Sequence, residues 1–302
     1  MFEGFEEFDV PVSGATIHGR RGGHGPAVLL LHGFPQSHVM WHRVAPELAR
    51  EFMVVATDLG GFGDSTASGE HSMRALARQQ VELMRTFGYD EFAVVGHDRG
   101  ARCAYRMALD DPAVVTRLAV LDVVPTGDVF ERADKEFALG YWVWSFLAAP
   151  APIPETLIGR APDVFVNHLL DSWAAGDAFP PEVRAEYIRH FEDPETVHAI
   201  CEEYRAAATI DDALDRADRG VRRISCPVLA VWDPAGAVAE WYDDPVGIWR
   251  QWADNVTGTT VEAGHFMAEE APAETLSRLL PFLRASQDGA SGVSRRSTLS
   301  EA

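Results

Sequence analysis

The apolar run Phe92-Ala-Val-Val95 passes directly into Gly96-His97-Asp98-Arg99-Gly100. This is a G-x-nucleophile-x-G elbow, a sharp strand-to-helix turn that exposes its central side chain at the top of a sheet. Serine is usual at the centre; here it is Asp98. Serine attacks acyl carbon and needs a base to take its proton. Aspartate is already anionic at neutral pH, with a reference pKa of about 3.9. A carboxylate nucleophile suits displacement at saturated carbon, where a halide or an opened epoxide leaves. The covalent product is an alkyl ester on Asp98, which water must then cleave.

Around the elbow, strand-like and helix-like runs alternate, the signature of a parallel sheet with crossover helices. Strands are predicted over 27–31, 52–56, 92–95, 118–124, 227–232 and 259–261, and helices over 72–87, 101–109 and 268–283. Between 125 and 222 the strand rhythm stops, and the segment is helical and rich in aromatics. The expected fold class is α/β: a mostly parallel sheet flanked by helices, with a helical cap inserted after the sixth strand. Residues 1–125 and 223–285 would form the core and 126–222 the cap. The polar tail 286–302 is expected to be disordered.

The chain has 302 residues, 47% of them hydrophobic, enough for one large core. Lys and Arg number 26 against 46 Asp and Glu, a net charge of −20. That balance argues against nucleic acid and anionic membrane surfaces as partners. An anionic substrate would need local cations to overcome the field. Cys103, Cys201 and Cys226 are scattered with no C-x-x-C, as idle thiols in a reducing compartment are. The acidic start, 1–12, lacks the apolar stretch of a signal peptide. No apolar run approaches the ~18 residues that span a bilayer. The expectation is a soluble cytoplasmic protein.

His265 follows the last predicted strand, and in elbow hydrolases the base comes last in chain order. It would draw a proton from water so that hydroxide attacks the ester carbonyl. An acid must orient it, and Asp122 and Asp233 each close a strand. An Asp in an apolar strand end is costly unless paired, which favours Asp122. Asp233, before Pro234, also suits a plain turn. Oxyanion donors would be the backbone N–H of Arg99 and of Phe34 in His32-Gly-Phe-Pro35. Arg99 and Arg102, three apart, share a helix face and form a fork for a substrate carboxylate. The alternative is a salt bridge to an acid such as Asp58 or Asp64.

These residues resemble the haloacetate dehalogenases, including fluoroacetate dehalogenase, of the α/β-hydrolase superfamily. The resemblance runs to about residue 284. It rests on His32-Gly-Phe-Pro-Gln36 with Met40-Trp-His42, on Gly96-His-Asp-Arg-Gly-Ala-Arg102, on Leu121-Asp-Val-Val-Pro-Thr126, on Trp144-Ser-Phe-Leu-Ala148, on Cys201-Glu-Glu-Tyr-Arg-Ala206 and on Gly264-His-Phe266. It implies Asp98 as nucleophile, Asp122 and His265 as its partners, and Arg99 and Arg102 as carboxylate ligands. It also implies halide donors from Trp144 and Tyr204, with Trp173 near the entrance. The implied reaction turns haloacetate into glycolate and halide without metal or organic cofactor, in a homodimer. Fluoride-binding members carry His directly before the pocket Trp, where this chain has Val143. Tyr141, on the helix face of Trp144, and Trp142, where Tyr is usual, are the candidate substitutes. A second departure is Gly60, where the usual turn has Pro. The rival readings are an epoxide hydrolase and a non-catalytic receptor on the same scaffold. Epoxide hydrolases usually have Trp after the nucleophile and two cap tyrosines, so Arg99 argues against the first. The complete Asp98, His265 and Asp122 set argues against the second.

Overall fold

The structure, a computed structural model, describes residues 1–285. The expected tail, 286–302, lies outside the described residues. Eight strands form one sheet: β1 (Glu6–Val12), β2 (Ala15–Gly23), β3 (Ala27–Leu31), β4 (Met53–Thr57), β5 (Phe92–His97), β6 (Val115–Leu121), β7 (Val228–Trp232) and β8 (Val256–Thr260). Their order is β1-β2-β4-β3-β5-β6-β7-β8. From β4 to β8 every neighbouring pair is parallel. β1 and β2 add an antiparallel edge that the predicted strands do not include. Charged residues interrupt both of them, and along β1 only Phe8 is buried, so neither reads as an apolar run.

The interior strands are apolar on both faces because helices cover both. Successive side chains of β3 alternate between two cores: Leu29 and Leu31 join one, Val28 and Leu30 the other. The first core also takes in Val143, Trp144, Leu147, Tyr187 and Tyr204 from the segment between β6 and β7. That segment is built of helices alone, from Thr126–Arg132 to Asp212–Asp218, with one π-helical turn at Ala207–Asp211. Asp215 anchors its end to the helix Arg99–Asp110. The carboxylate accepts from Arg106 Nη2 at 2.7 Å, from Tyr105 Oη at 2.7 Å and from the Gly127 N–H at 2.8 Å.

Among the boundaries that differ from the sequence reading, two have a clear cause. β6 ends at Leu121 rather than 124, because Asp122 turns to φ +55°, outside the strand region. The closing helix is broken into Met267–Glu270 and Pro272–Arg284. Pro272 lacks the N–H needed to continue the first piece. No helix among the described residues is long and apolar enough to cross a membrane.

Candidate active site

β5 ends at His97 and the helix Arg99–Asp110 starts two residues later. Asp98 lies between them at φ +43°, a strained value for a residue with a Cβ. The flanking glycines are forced by contact. A Cβ on Gly96 would sit 2.5 Å from the Gly100 carbonyl oxygen, and one on Gly100 would sit 2.4 Å from that of Leu31. Gly33 has the same origin: its Cβ would meet His97 Nδ1 at 2.5 Å and Asp98 Cβ at 2.7 Å. The His32-Gly33-Phe34 turn therefore lies against the elbow. The Phe34 N–H donates to Asp98 Oδ2 at 3.0 Å. Arg99 is the first residue of its helix, where a backbone N–H has no intrahelical acceptor.

His265 Nδ1 and Asp122 Oδ2 are 2.7 Å apart and buried. The Asp122 N–H is held by the Val231 carbonyl at 2.7 Å, which fixes the carboxylate beside β7. Asp233 takes the plainer role, with Oδ1 accepting from the Ala235 N–H at 3.1 Å in a turn. Burial opposes charge on His265, but the Asp122 carboxylate outweighs it and lifts the imidazole above its ordinary range. For Asp98, burial also opposes charge. His265, Arg99 and Arg102 together outweigh it and hold the carboxyl below its ordinary range. His97 is a residue the sequence reading passed over. Its Nε2 donates to the His265 carbonyl at 2.8 Å, and burial pushes its pKa down to about 3, so it stays neutral. Its place inside the elbow motif was the available signal.

Arg99 and Arg102 are both buried beside Asp98. Neither Asp58 nor Asp64 pairs with them. Asp58 accepts from His38 Nδ1 at 2.9 Å, and Asp64 accepts from Arg189 at 2.8 Å. The partner of Arg99 is Glu203, which accepts from Nε at 3.0 Å and from Nη2. Nη1 of Arg99 is buried with no partner. Arg102 donates through Nη1 to the Val124 carbonyl at 2.9 Å, while its Nε is buried without a hydrogen bond, 3.9 Å from Asp98 Oδ1. The Arg99 guanidinium lies 4.4 Å from the Tyr204 ring centre and that of Arg102 lies 4.6 Å from Trp144. Trp144 meets Tyr204 edge-on at 6.0 Å.

Residues 26–272 match the α/β hydrolase fold family. A fluoroacetate dehalogenase from Burkholderia sp is 44% identical over 304 residues, covering 98% of this chain and 99% of its own. The chain belongs to the haloacetate dehalogenase family of the α/β-hydrolase superfamily. A solved structure from Nostoc sp PCC 7120, described as an α/β hydrolase, superposes with a TM-score of 0.92 at 47% identity, over 95% of this chain and 100% of that one. A soluble epoxide hydrolase from Corynebacterium sp. (strain C12) is 31% identical over 90% of this chain and 94% of its own.

Within this dehalogenase-family chain, the remaining expected pocket residues divide. Trp173 packs 5.6 Å from the His265 ring and 6.3 Å from Phe34, and Tyr141 lies 6.5 Å from His265. Val143 is fully buried in the apolar core. Trp142 is not brought to the site: it packs on Phe146, Phe165 and His168. It stands two residues from Trp144, which puts the two on different sides of their helix. A cavity of about 830 Å³ reaches His265 and Asp122 past Tyr141, Trp173, Asp233 and Trp241.

Behind the His265 loop, Glu269 is fully buried. It accepts from Tyr187 Oη at 3.0 Å and from Gln36 Nε2, so it joins the helix Pro181–Phe191 to the Phe34 turn. Burial pushes its pKa up to about 8. An acid whose pKa is raised on folding binds more protons in the folded state, so stability falls as pH rises from the unfolded value toward the folded one. The protein should therefore lose stability between pH 5 and pH 8 through this group. Glu269→Gln should flatten that loss, since an amide keeps the Tyr187 acceptor and can also serve the unpartnered Gln36 Oε1. Urea midpoints at pH 5.5 and 8.5 test it. An equal decline in both proteins would refute it.

Proposed function

We propose that this chain hydrolyses haloacetate and other short 2-haloacids to the 2-hydroxyacid and halide through an ester on Asp98. The observation that carries the reading is the pair of unpartnered, buried guanidinium N–H groups, Arg99 Nη1 and Arg102 Nε, beside an ionised Asp98. Buried donors left unsatisfied are costly, and a substrate carboxylate satisfies both. Such a ligand presents its α-carbon to Asp98.

An Asp98 oxygen attacks that carbon, the carbon–halogen bond breaks, and halide leaves with the bonding pair toward the Trp144 indole N–H and the Tyr204 hydroxyl. His265 then takes a proton from water, and hydroxide adds to the Asp98 carbonyl carbon. The Phe34 and Arg99 N–H groups receive the oxyanion. Its collapse expels the glycolate alkoxide, which takes up the proton held by His265, and the Asp98 carboxyl left behind releases a proton to become the carboxylate again. The first step assists the second. Asp98⁻ is one of the charges that raises the His265 pKa, and alkylation removes it. Alkylation therefore lowers the His265 pKa, toward the free base that water activation needs.

Fluoride is small, strongly hydrated and a poor leaving group, so it needs the most donors. Val143 offers none. Fluoroacetate should therefore be turned over at least about tenfold more slowly than chloroacetate, the worth of one missing hydrogen bond. Val143→His should narrow that ratio. Halide release from fluoro-, chloro- and bromoacetate, with Asp98→Ala as control, tests both. Release of none of the three halides would sink the dehalogenase reading. Diol from styrene oxide would then favour epoxide hydrolysis, to which the Corynebacterium relative and the nearby Tyr141 and Tyr204 point.

A further inference from the structure

Arg99 is committed before any substrate arrives. A guanidinium has five N–H donors, and Glu203 occupies the edge formed by Nε and Nη2. Both side chains are buried, at 0% and 1% exposure, so little water screens the pair. Glu203 lies more than 100 positions from Arg99, on the helix Pro194–Ala206, directly before Tyr204. The packing of that helix thus sets which N–H of Arg99 remains.

We infer that Glu203 is a positioning residue that sets both the free edge and the charge of the carboxylate site. The inference rests on the haloacid reading. Asp98 and Glu203 balance Arg99 and Arg102 in the resting enzyme. A bound haloacetate adds one negative charge. Displacement turns Asp98 into a neutral ester and sends the surplus charge out with the halide. Glu203 therefore weakens ground-state binding of the anion and favours the step that expels one. Neutralising it should tighten carboxylate binding and slow turnover together. Ordinary structural damage does not produce that combination, since damage weakens binding as well.

The probes are acetate and glycolate, which bind without reacting, measured by calorimetry at pH 8.5. The pH matters because Asp211, in the π-helical turn, is pushed up to about 7 by burial and by Glu203. Above that pH it is ionised with or without the Glu203 charge. Glu203→Gln keeps one acceptor for Arg99 and removes the charge. It should bind acetate about tenfold more tightly and lower kcat for chloroacetate about tenfold. Glu203→Asp keeps the charge but shortens the reach to Arg99, and it should bind acetate no more tightly than the wild type. Weaker or unchanged acetate binding in Glu203→Gln, while the wild type binds acetate and releases halide, would overturn the role of Glu203 alone. A wild type that neither binds acetate nor releases halide would overturn the haloacid reading as well.

Discussion

His265→Asn is expected to release one equivalent of chloride per chain from chloroacetate and then stop. The first displacement needs the Asp98 carboxylate, the two arginines and the halide donors Trp144 and Tyr204, and none of these is replaced. The second needs a base, and Asn has no proton affinity to offer. Steady turnover should fall by about 10³-fold or more, since general-base loss and loss of a correctly held nucleophilic water act together. The peptide containing Asp98 should gain the mass of one carboxymethyl group, and protein mass spectrometry reads that directly. Continued turnover without an adduct would mean that water attacks the α-carbon itself, and the ester route would be wrong.

The pH dependence carries the same information from another side. His265 works as the neutral base, so activity rises with pH as the imidazole loses its proton. In the free enzyme the Asp122 and Asp98 carboxylates hold its pKa above the ordinary range. In the ester the Asp98 charge is gone. The acid limb of kcat, when ester hydrolysis is slow, should therefore lie below the His265 pKa of the free enzyme, which an NMR titration of the imidazole reads. Coincidence of the two would argue that Asp98 keeps its charge through the slow step.

What could be read before the fold was known follows from how local each signal is. The elbow is legible because its glycines answer to contacts within a few residues, as Gly96 against Gly100 shows. The choice of Asp122 over Asp233 followed from the cost of an acid in an apolar run, and the 2.7 Å contact with His265 agrees with it. Tyr141 and Trp144 do not share the expected helix face: Tyr141 closes the helix Lys135–Gly140 and Trp144 lies in the next one, Val143–Leu147, although Tyr141 still lies 6.5 Å from His265. Glu203 lies inside one of the motifs of the resemblance, yet nothing local reveals that its partner lies on another helix 104 positions away. The same limit explains why Asp58 and Asp64 stood as alternatives for the arginines. Each has a histidine or arginine that only the fold brings near. The edge strands β1 and β2 escaped because half-exposed, charge-bearing strands lack the continuous apolar run of the central ones.

Arg102→Leu should raise the KM for chloroacetate about a hundredfold, the worth of one buried charge-assisted hydrogen bond. The neutral analogue chloroacetamide should be affected much less, because it brings no charge for the guanidinium to meet. Arg102 also has a structural task. Its Nη1 holds the Val124 carbonyl and Thr126 Oγ1 at 2.9 and 3.3 Å, where the chain leaves β6 for the helical insertion. Arg102→Lys separates the tasks. A lysine restores positive charge but cannot hold that carbonyl and face Asp98 at once. It should recover part of the KM for chloroacetate while leaving the melting temperature as low as in the leucine variant. Equal KM increases for chloroacetate and chloroacetamide in Arg102→Leu would show that the residue serves shape rather than charge. A chain of net charge −20 repels an anionic substrate everywhere except where cations are concentrated. The two arginines beside Asp98 are such a place, and one of them already shares its charge with Glu203. Arg102, with no acid bonded to it, is therefore the arginine on which recognition of the substrate anion should depend most.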